Sequence, residues 1–202
     1  MLKIILYLVL AYLFGAIPFG YIIAKVFGHV DIRTIGSGNT GATNVYRSIS
    51  KPLGVLTLVL DILKGFLPVY CVSYFFPEFQ WLVISVAFVT IIGHVFTIFL
   101  SFKGGKGVAT ACGVFLALNP LAVLVCFMFF VIVLVIFKYV SFASIMAALM
   151  LPISLYLLNS LPEVVVFAGL ISILVIARHG SNIKRLLNGT ENKIFGTKAT
   201  TK

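Results

Sequence analysis

Residues 36–47 read Gly36-Ser37-Gly38-Asn39-Thr40-Gly41-Ala42-Thr43-Asn44-Val45-Tyr46-Arg47. The fold turns on what this run is. Its spacing Gly36-x-Gly38-x-x-Gly41 matches the dinucleotide-binding fingerprint, which requires a preceding strand inside a βαβ unit. What precedes it is a hydrophobic segment of membrane length, residues 2–27. Roughly 20 apolar residues suffice to cross a bilayer. The run therefore reads as a loop in an all-α membrane chain.

The loop is polar and free of acids. Glycines let the backbone turn through positive φ, and successive N–H groups in such turns form concave nests for anions. Ser37, Thr40 and Thr43 add hydroxyls, Asn39 and Asn44 add amides, and Arg47 offers a two-pronged cationic grip. Phosphate is the expected ligand, against a plain connecting loop as the alternative.

Composition agrees with a membrane setting. Of 202 residues, 61% are hydrophobic and 10% charged, where a soluble domain carries about 25% charge. One membrane domain, residues 1–202, accounts for this length. The net charge of +10 would suggest nucleic acid in a soluble protein. Here the basic residues lie between hydrophobic segments, so no nucleic-acid partner is expected. Cys71, Cys112 and Cys126 lack metal or redox spacing and read as buried small hydrophobes. No metal or other cofactor is expected.

About seven spans follow, over residues 2–27, 52–76, 81–102, 107–118, 121–137, 141–158 and 163–187. Gly15, Pro18 and Gly20 interrupt the first. Asp61 and Lys64 lie inside the second, three apart on one helical face; they fix packing, or Lys64 reaches the ligand. His94 sits near the end of the third, as a packing residue or a participant. Ser141 and Ser144 open the sixth, as helix caps or ligand contacts, with capping the favoured role for Ser141.

Two further polar stretches stand out. Lys103-Gly104-Gly105-Lys106-Gly107 precedes a helix start, where backbone N–H groups, the helix dipole and a lysine favour an anion. Arg178-His179-Gly180-Ser181-Asn182 ends the last span, with His179 and Asn182 on one face at spacing three.

Thirteen of the fifteen Lys and Arg residues then fall on one side. The positive-inside rule places the N-terminus outside and the C-terminus in the cytoplasm. All three polar stretches share that cytoplasmic face and can form one site. The residues alone leave two functions open: an enzyme acting on phosphates at the membrane surface, or a carrier of an organic phosphate.

Three motifs carry a family resemblance: Gly-Ser-Gly-Asn-Thr-Gly-Ala-Thr-Asn at 36–44, Gly-His-x-Phe-x-x-Phe-x-x-Phe-Lys-Gly-Gly-Lys-Gly-Val-Ala-Thr at 93–110, and Arg-His-x-x-Asn-x-x-Arg-Leu-x-x-Gly-x-Glu at 178–191. Together they resemble the bacterial acyl-phosphate:glycerol-3-phosphate acyltransferases, the PlsY family. The resemblance implies an inner-membrane enzyme that moves a fatty acyl group from acyl phosphate to the 1-hydroxyl of glycerol 3-phosphate. Lysophosphatidic acid and phosphate are the products, in the first acylation of bacterial phospholipid synthesis. It implies catalytic roles for Ser37, Arg47, Lys106, His179 and Asn182, and phosphate contacts by the glycines of both loops and Ser144. Glu191 matches the third motif as a supporting residue, and Asp61, Lys64 and His94, read from their places in the spans, would support the site as well. An acyl-phosphate-producing enzyme at the membrane surface is a candidate partner. None of the three histidines stands five residues before an aspartate, so the His-x4-Asp dyad of other glycerolipid acyltransferases is missing.

Overall fold

A computed structural model provides the structure and describes residues 2–194. Residues 195–202 of the expected polar tail, with Lys198 and Lys202 of the charge count, lie outside the described residues. The chain divides into two compact units, residues 1–120 and 121–202. Among the described residues every regular element is helical.

The first unit contains α1 (Leu2–Ala16), α2 (Phe19–Phe27), α3 (Ala42–Ser48), α4 (Lys51–Phe75), α5 (Gln80–Val95) and α6 (Val108–Leu118). The expected first span is a broken helix, α1 and α2, bent by 41°. Pro18 causes the break, because it lacks an N–H and pushes the preceding residue out of helical geometry. The carbonyls at the end of α1 find side-chain donors instead. Thr97 Oγ1 donates to Ala16 O at 2.6 Å, and Lys64 Nζ to Ile17 O at 2.7 Å.

Ser50 caps α4 by accepting from Leu53 N, so the helix starts just before the Pro52 that was expected to open it. Helices α1 and α5 approach closely at Gly15, where a Cβ would run into the backbone of Thr90. Small residues at such crossings let backbones meet, the main source of helix adhesion in lipid.

The second unit contains α7 (Pro120–Phe137), α8 (Val140–Leu157), α9 (Pro162–Arg178) and α10 (Gly180–Leu187). Helices α8 and α9 pack together, and Ser172 Oγ donates across to Ala148 O at 2.5 Å. Helix α10 turns away from α9 by 59°.

Large apolar side chains such as Tyr74, Ile136 and Ile173 stay exposed on the spans, as lipid-facing positions do. Helices α4, α7 and α8, and α5 with the turn after it, are each long and apolar enough to cross a membrane. Among the described residues, taking each bent pair as one span brings the count to six. The expected fourth span, residues 107–118, is present as α6 and is short, as its expected bounds imply. Helix α6 has eleven residues, about 16 Å of helix against a hydrocarbon core of about 30 Å. The cysteine reading is corrected too: Cys126 is buried, but Cys71 is exposed on α4 and Cys112 is half-buried, because a membrane span can present apolar residues outward.

Candidate functional site

The first glycine loop is held from within by Asn44. This side chain is 4% exposed at the start of α3. Its amide nitrogen donates to the carbonyls of Ile32, Ile35 and Asn39 at 3.0–3.1 Å. Its oxygen accepts from Ser37 N at 3.0 Å and Ser48 Oγ at 3.2 Å. Asn39 Oδ1 accepts from Gly41 N at 2.9 Å. The expected nest is therefore corrected. Asn44 organises the loop, and the amides of Ser37, Gly38 and Gly41 are engaged inside it. Gly36 and Gly38 do adopt positive φ, at 60° and 69°, but Gly41 stays extended. Ser37 is exposed at the loop surface, Thr40 is buried, Thr43 lies in the first turn of α3 and Arg47 in its last.

Arg33, beside this loop, is bound by Asp31, with 2.6 Å between Arg33 Nη2 and Oδ2. The hydrogen bonds from Arg33 hold the Asp31 carboxyl at about 2.

The second loop folds back onto the end of α5. Ser101 and Phe102 both take left-handed backbone, φ 52° and 62°, a conformation strained for a bulky residue. The turn lets Gly104 N donate to Val95 O at 3.1 Å and Gly105 N to His94 O at 3.2 Å. A Cβ on Gly104 would strike the His94 carbonyl, and one on Gly105 would strike His94 Nε2. These glycines permit close packing, and their N–H groups cap α5 rather than wait for phosphate. Gly107, at φ 88°, is the N-cap of α6. Lys106 precedes it and is half-buried, whereas Lys103 is exposed. Beneath both loops, Thr40, Gly104, Asp61, Lys64 and His94 line one small pocket. The expected Asp61–Lys64 pair is present at 2.8 Å.

In the second unit, Glu191 gathers three donors. Its Oε1 accepts from Asn182 Nδ2 at 2.9 Å and Ser141 Oγ at 3.0 Å, and its Oε2 accepts from Arg185 Nε at 2.8 Å. Burial alone would raise the Glu191 carboxyl; the bonds from Asn182, Arg185 and Ser141 prevail and hold it below the ordinary range. Ser141 is thus not the helix cap that its position suggested. A carboxylate only accepts, so the Asn182 NH2 faces Glu191 and its oxygen points away.

His179 caps α9 and is 2% exposed. Its Nδ1 lies 2.8 Å from Val175 O. A carbonyl also only accepts, so in the neutral ring Nδ1 carries the hydrogen and Nε2 the lone pair. Ser144 is buried and donates to Val140 O at 2.8 Å within its own helix. The sequence reading missed Arg185 and Ser141 as Glu191 partners. The nine-residue separation of Asn182 and Glu191 crosses the end of α10 and has no periodic signature.

The family model described as glycerol-3-phosphate acyltransferase matches residues 5–189. The chain belongs to this family. It is 52% identical over 194 residues to the glycerol-3-phosphate acyltransferase of Endomicrobium trichonymphae, covering 96% of this chain and 97% of the relative. The corresponding protein of Staphylococcus aureus strain JH9 is 46% identical over 207 residues, covering 96% and 98%. Two crystal structures of PlsY, an integral membrane glycerol 3-phosphate acyltransferase, share the fold. The glycerol 3-phosphate form superposes with a TM-score of 0.92 at 42% identity, covering 96% of both chains. The lysophosphatidic acid form gives 0.89 at 41% identity over the same shares. The resemblance carried by the three motifs is borne out, and this acyltransferase is an integral membrane enzyme.

Proposed function

We propose that the enzyme transfers a fatty acyl group from acyl phosphate to the 1-hydroxyl of glycerol 3-phosphate, releasing lysophosphatidic acid and phosphate. The observation that carries this reading is the pair of PlsY structures on the same fold. One is described as a glycerol 3-phosphate form and the other as a lysophosphatidic acid form, the acceptor and product of such a step. Acyl phosphate as donor is supported by the missing His-x4-Asp dyad and by two basic glycine loops. Both substrates then carry phosphate, and the donor has a good leaving group.

In the step, the 1-hydroxyl oxygen bonds to the acyl carbon and the acyl carbon–phosphate oxygen bond breaks. The hydroxyl proton goes to an oxygen of the departing phosphate. His179 Nε2 accepts the hydrogen bond that orients the hydroxyl, and the Asn182 oxygen holds the acceptor. Lys106 and Arg47 stabilise the charge developing on phosphate and the tetrahedral carbon. Ser37, Thr40, Thr43 and the α6 start, Gly107, contact substrate phosphate, with Ser144 re-aimed from Val140. Gly36, Gly38, Asn39, Gly41, Asn44, Gly104 and Gly105 shape the loops that do so.

Residues 1–202 act as one acyltransferase domain in the cytoplasmic membrane, with the reaction on the cytoplasmic face. The topology has seven crossings, N-terminus outside. Without a crossing at α6, Lys138, Arg178, Lys184 and Arg185 would fall on sides that the positive-inside rule disfavours. A membrane-associated enzyme that makes acyl phosphate would supply the donor. The test is to incubate purified protein with palmitoyl phosphate and glycerol 3-phosphate and identify the product by mass spectrometry. 1-Palmitoyl-glycerol 3-phosphate is expected; its absence overturns the reading.

A further inference from the structure

Lys64 is the largest fully buried side chain among the described residues, 1% exposed within α4. A charge inside a span is costly, and where it occurs it is paired and faces the protein interior. Lys64 Nζ has two close partners, Asp61 Oδ1 at 2.8 Å and Ile17 O at 2.7 Å. The second partner is the break between α1 and α2, so the ammonium ties that break to α4. Asp61 Oδ1 also faces His94 Nδ1 at 3.9 Å, within electrostatic reach but beyond a hydrogen bond. The opposite edge of the His94 ring supports Gly105, whose Cβ it would exclude. The His94 carbonyl holds Gly105 N. Gly105 adjoins Lys106. Thr40 of the first loop lines the same pocket as Asp61, Lys64 and His94.

We propose that Asp61, Lys64 and His94 are positioning residues for acyl transfer. The ion pair fixes the helix break and the face of the His94 ring. The ring then fixes the height of the loop that presents Lys106. This inference rests on the acyl-transfer reading above. A pair serving packing alone would be replaceable, since exchanging a buried ion pair for neutral groups of similar volume is often tolerated. Breaking one partner leaves a buried charge and confounds stability with geometry, so the informative variant removes both charges.

The experiment compares Asp61→Asn, Lys64→Met and the double variant, purified in detergent, for melting temperature and for kcat and KM with palmitoyl phosphate and glycerol 3-phosphate. The expected double variant melts within about 3 °C of the parent but loses about 10- to 100-fold in kcat, the scale of a misplaced catalytic group. Both KM values stay within about threefold. A double variant that regains parental kcat with its melting temperature shows a packing role only and overturns the proposal. Should the double variant not fold, His94→Leu, which leaves the pair intact, carries the same expectation. A folded His94→Leu protein with parental kcat overturns the proposal equally. A parent inactive with these substrates would instead overturn the proposed function itself.

Discussion

The Asn182 side-chain amide donates to the Glu191 carboxylate at 2.9 Å, and in the proposed reaction this bond orients Asn182 toward the acceptor. Asn182→Ala is expected to raise the glycerol 3-phosphate KM or lower kcat by about 10-fold or more, the cost of losing a substrate-positioning hydrogen bond. Palmitoyl phosphate affinity should barely change. Steady-state kinetics on both substrates with a melting curve on the same sample check it. An effect confined to the donor contradicts the acceptor role.

Glu191 should matter to stability in a pH-dependent way. Its carboxyl is held below the ordinary value of 4.5. A depressed carboxyl contributes stability fully present above the ordinary value, and that stability is lost as pH falls through the folded one. The parent's melting temperature should therefore drop more steeply than that of Glu191→Gln as pH falls below about 4.5. Parallel curves would remove the carboxylate from the account of this corner.

Lys106 and Lys103 should behave differently although both are cations of one loop. Lys106 is half-buried beside the helix start, and Lys103 is exposed. Lys106→Ala is expected to lose at least ~10²-fold in kcat, as when one main electrostatic stabiliser is removed. Lys103→Ala should lose less than about tenfold. The comparison is made at saturating substrate, and equal losses would break the distinction.

Topology gives a separate test. In a protein lacking Cys71, Cys112 and Cys126, Asn188→Cys is expected to react with an impermeant thiol reagent only from the cytoplasmic side, and Glu78→Cys only from outside. Labelling of both from one side would contradict an odd number of crossings between them.

Much of this was legible in the sequence because lipid imposes a strong pattern. Residues 121–137 carry no charge, and Pro18 marks the break at the end of α1. The spacing of Asp61 and Lys64 predicted their pairing. What was not legible depends on which backbone groups fold back on themselves. The amides of Gly104 and Gly105 are spent on the end of α5, a contact made by the left-handed turn at Ser101 and Phe102. Asn44 holds its own loop rather than offering its amide outward. Composition cannot separate a donor aimed at phosphate from one aimed at a nearby carbonyl. The shortness of α6, by contrast, was legible, because Gly107 and Asn119-Pro120 bound the stretch on both sides.

The central claim is that acyl phosphate is the donor and glycerol 3-phosphate the acceptor. The most direct measurement follows phosphate release and lysophosphatidic acid together, using purified enzyme with palmitoyl phosphate, and palmitoyl-CoA in a parallel reaction. The account predicts one phosphate released per lysophosphatidic acid formed, dependent on glycerol 3-phosphate, with palmitoyl-CoA inert. Equal turnover with palmitoyl-CoA, or phosphate released without acylated product, would contradict it.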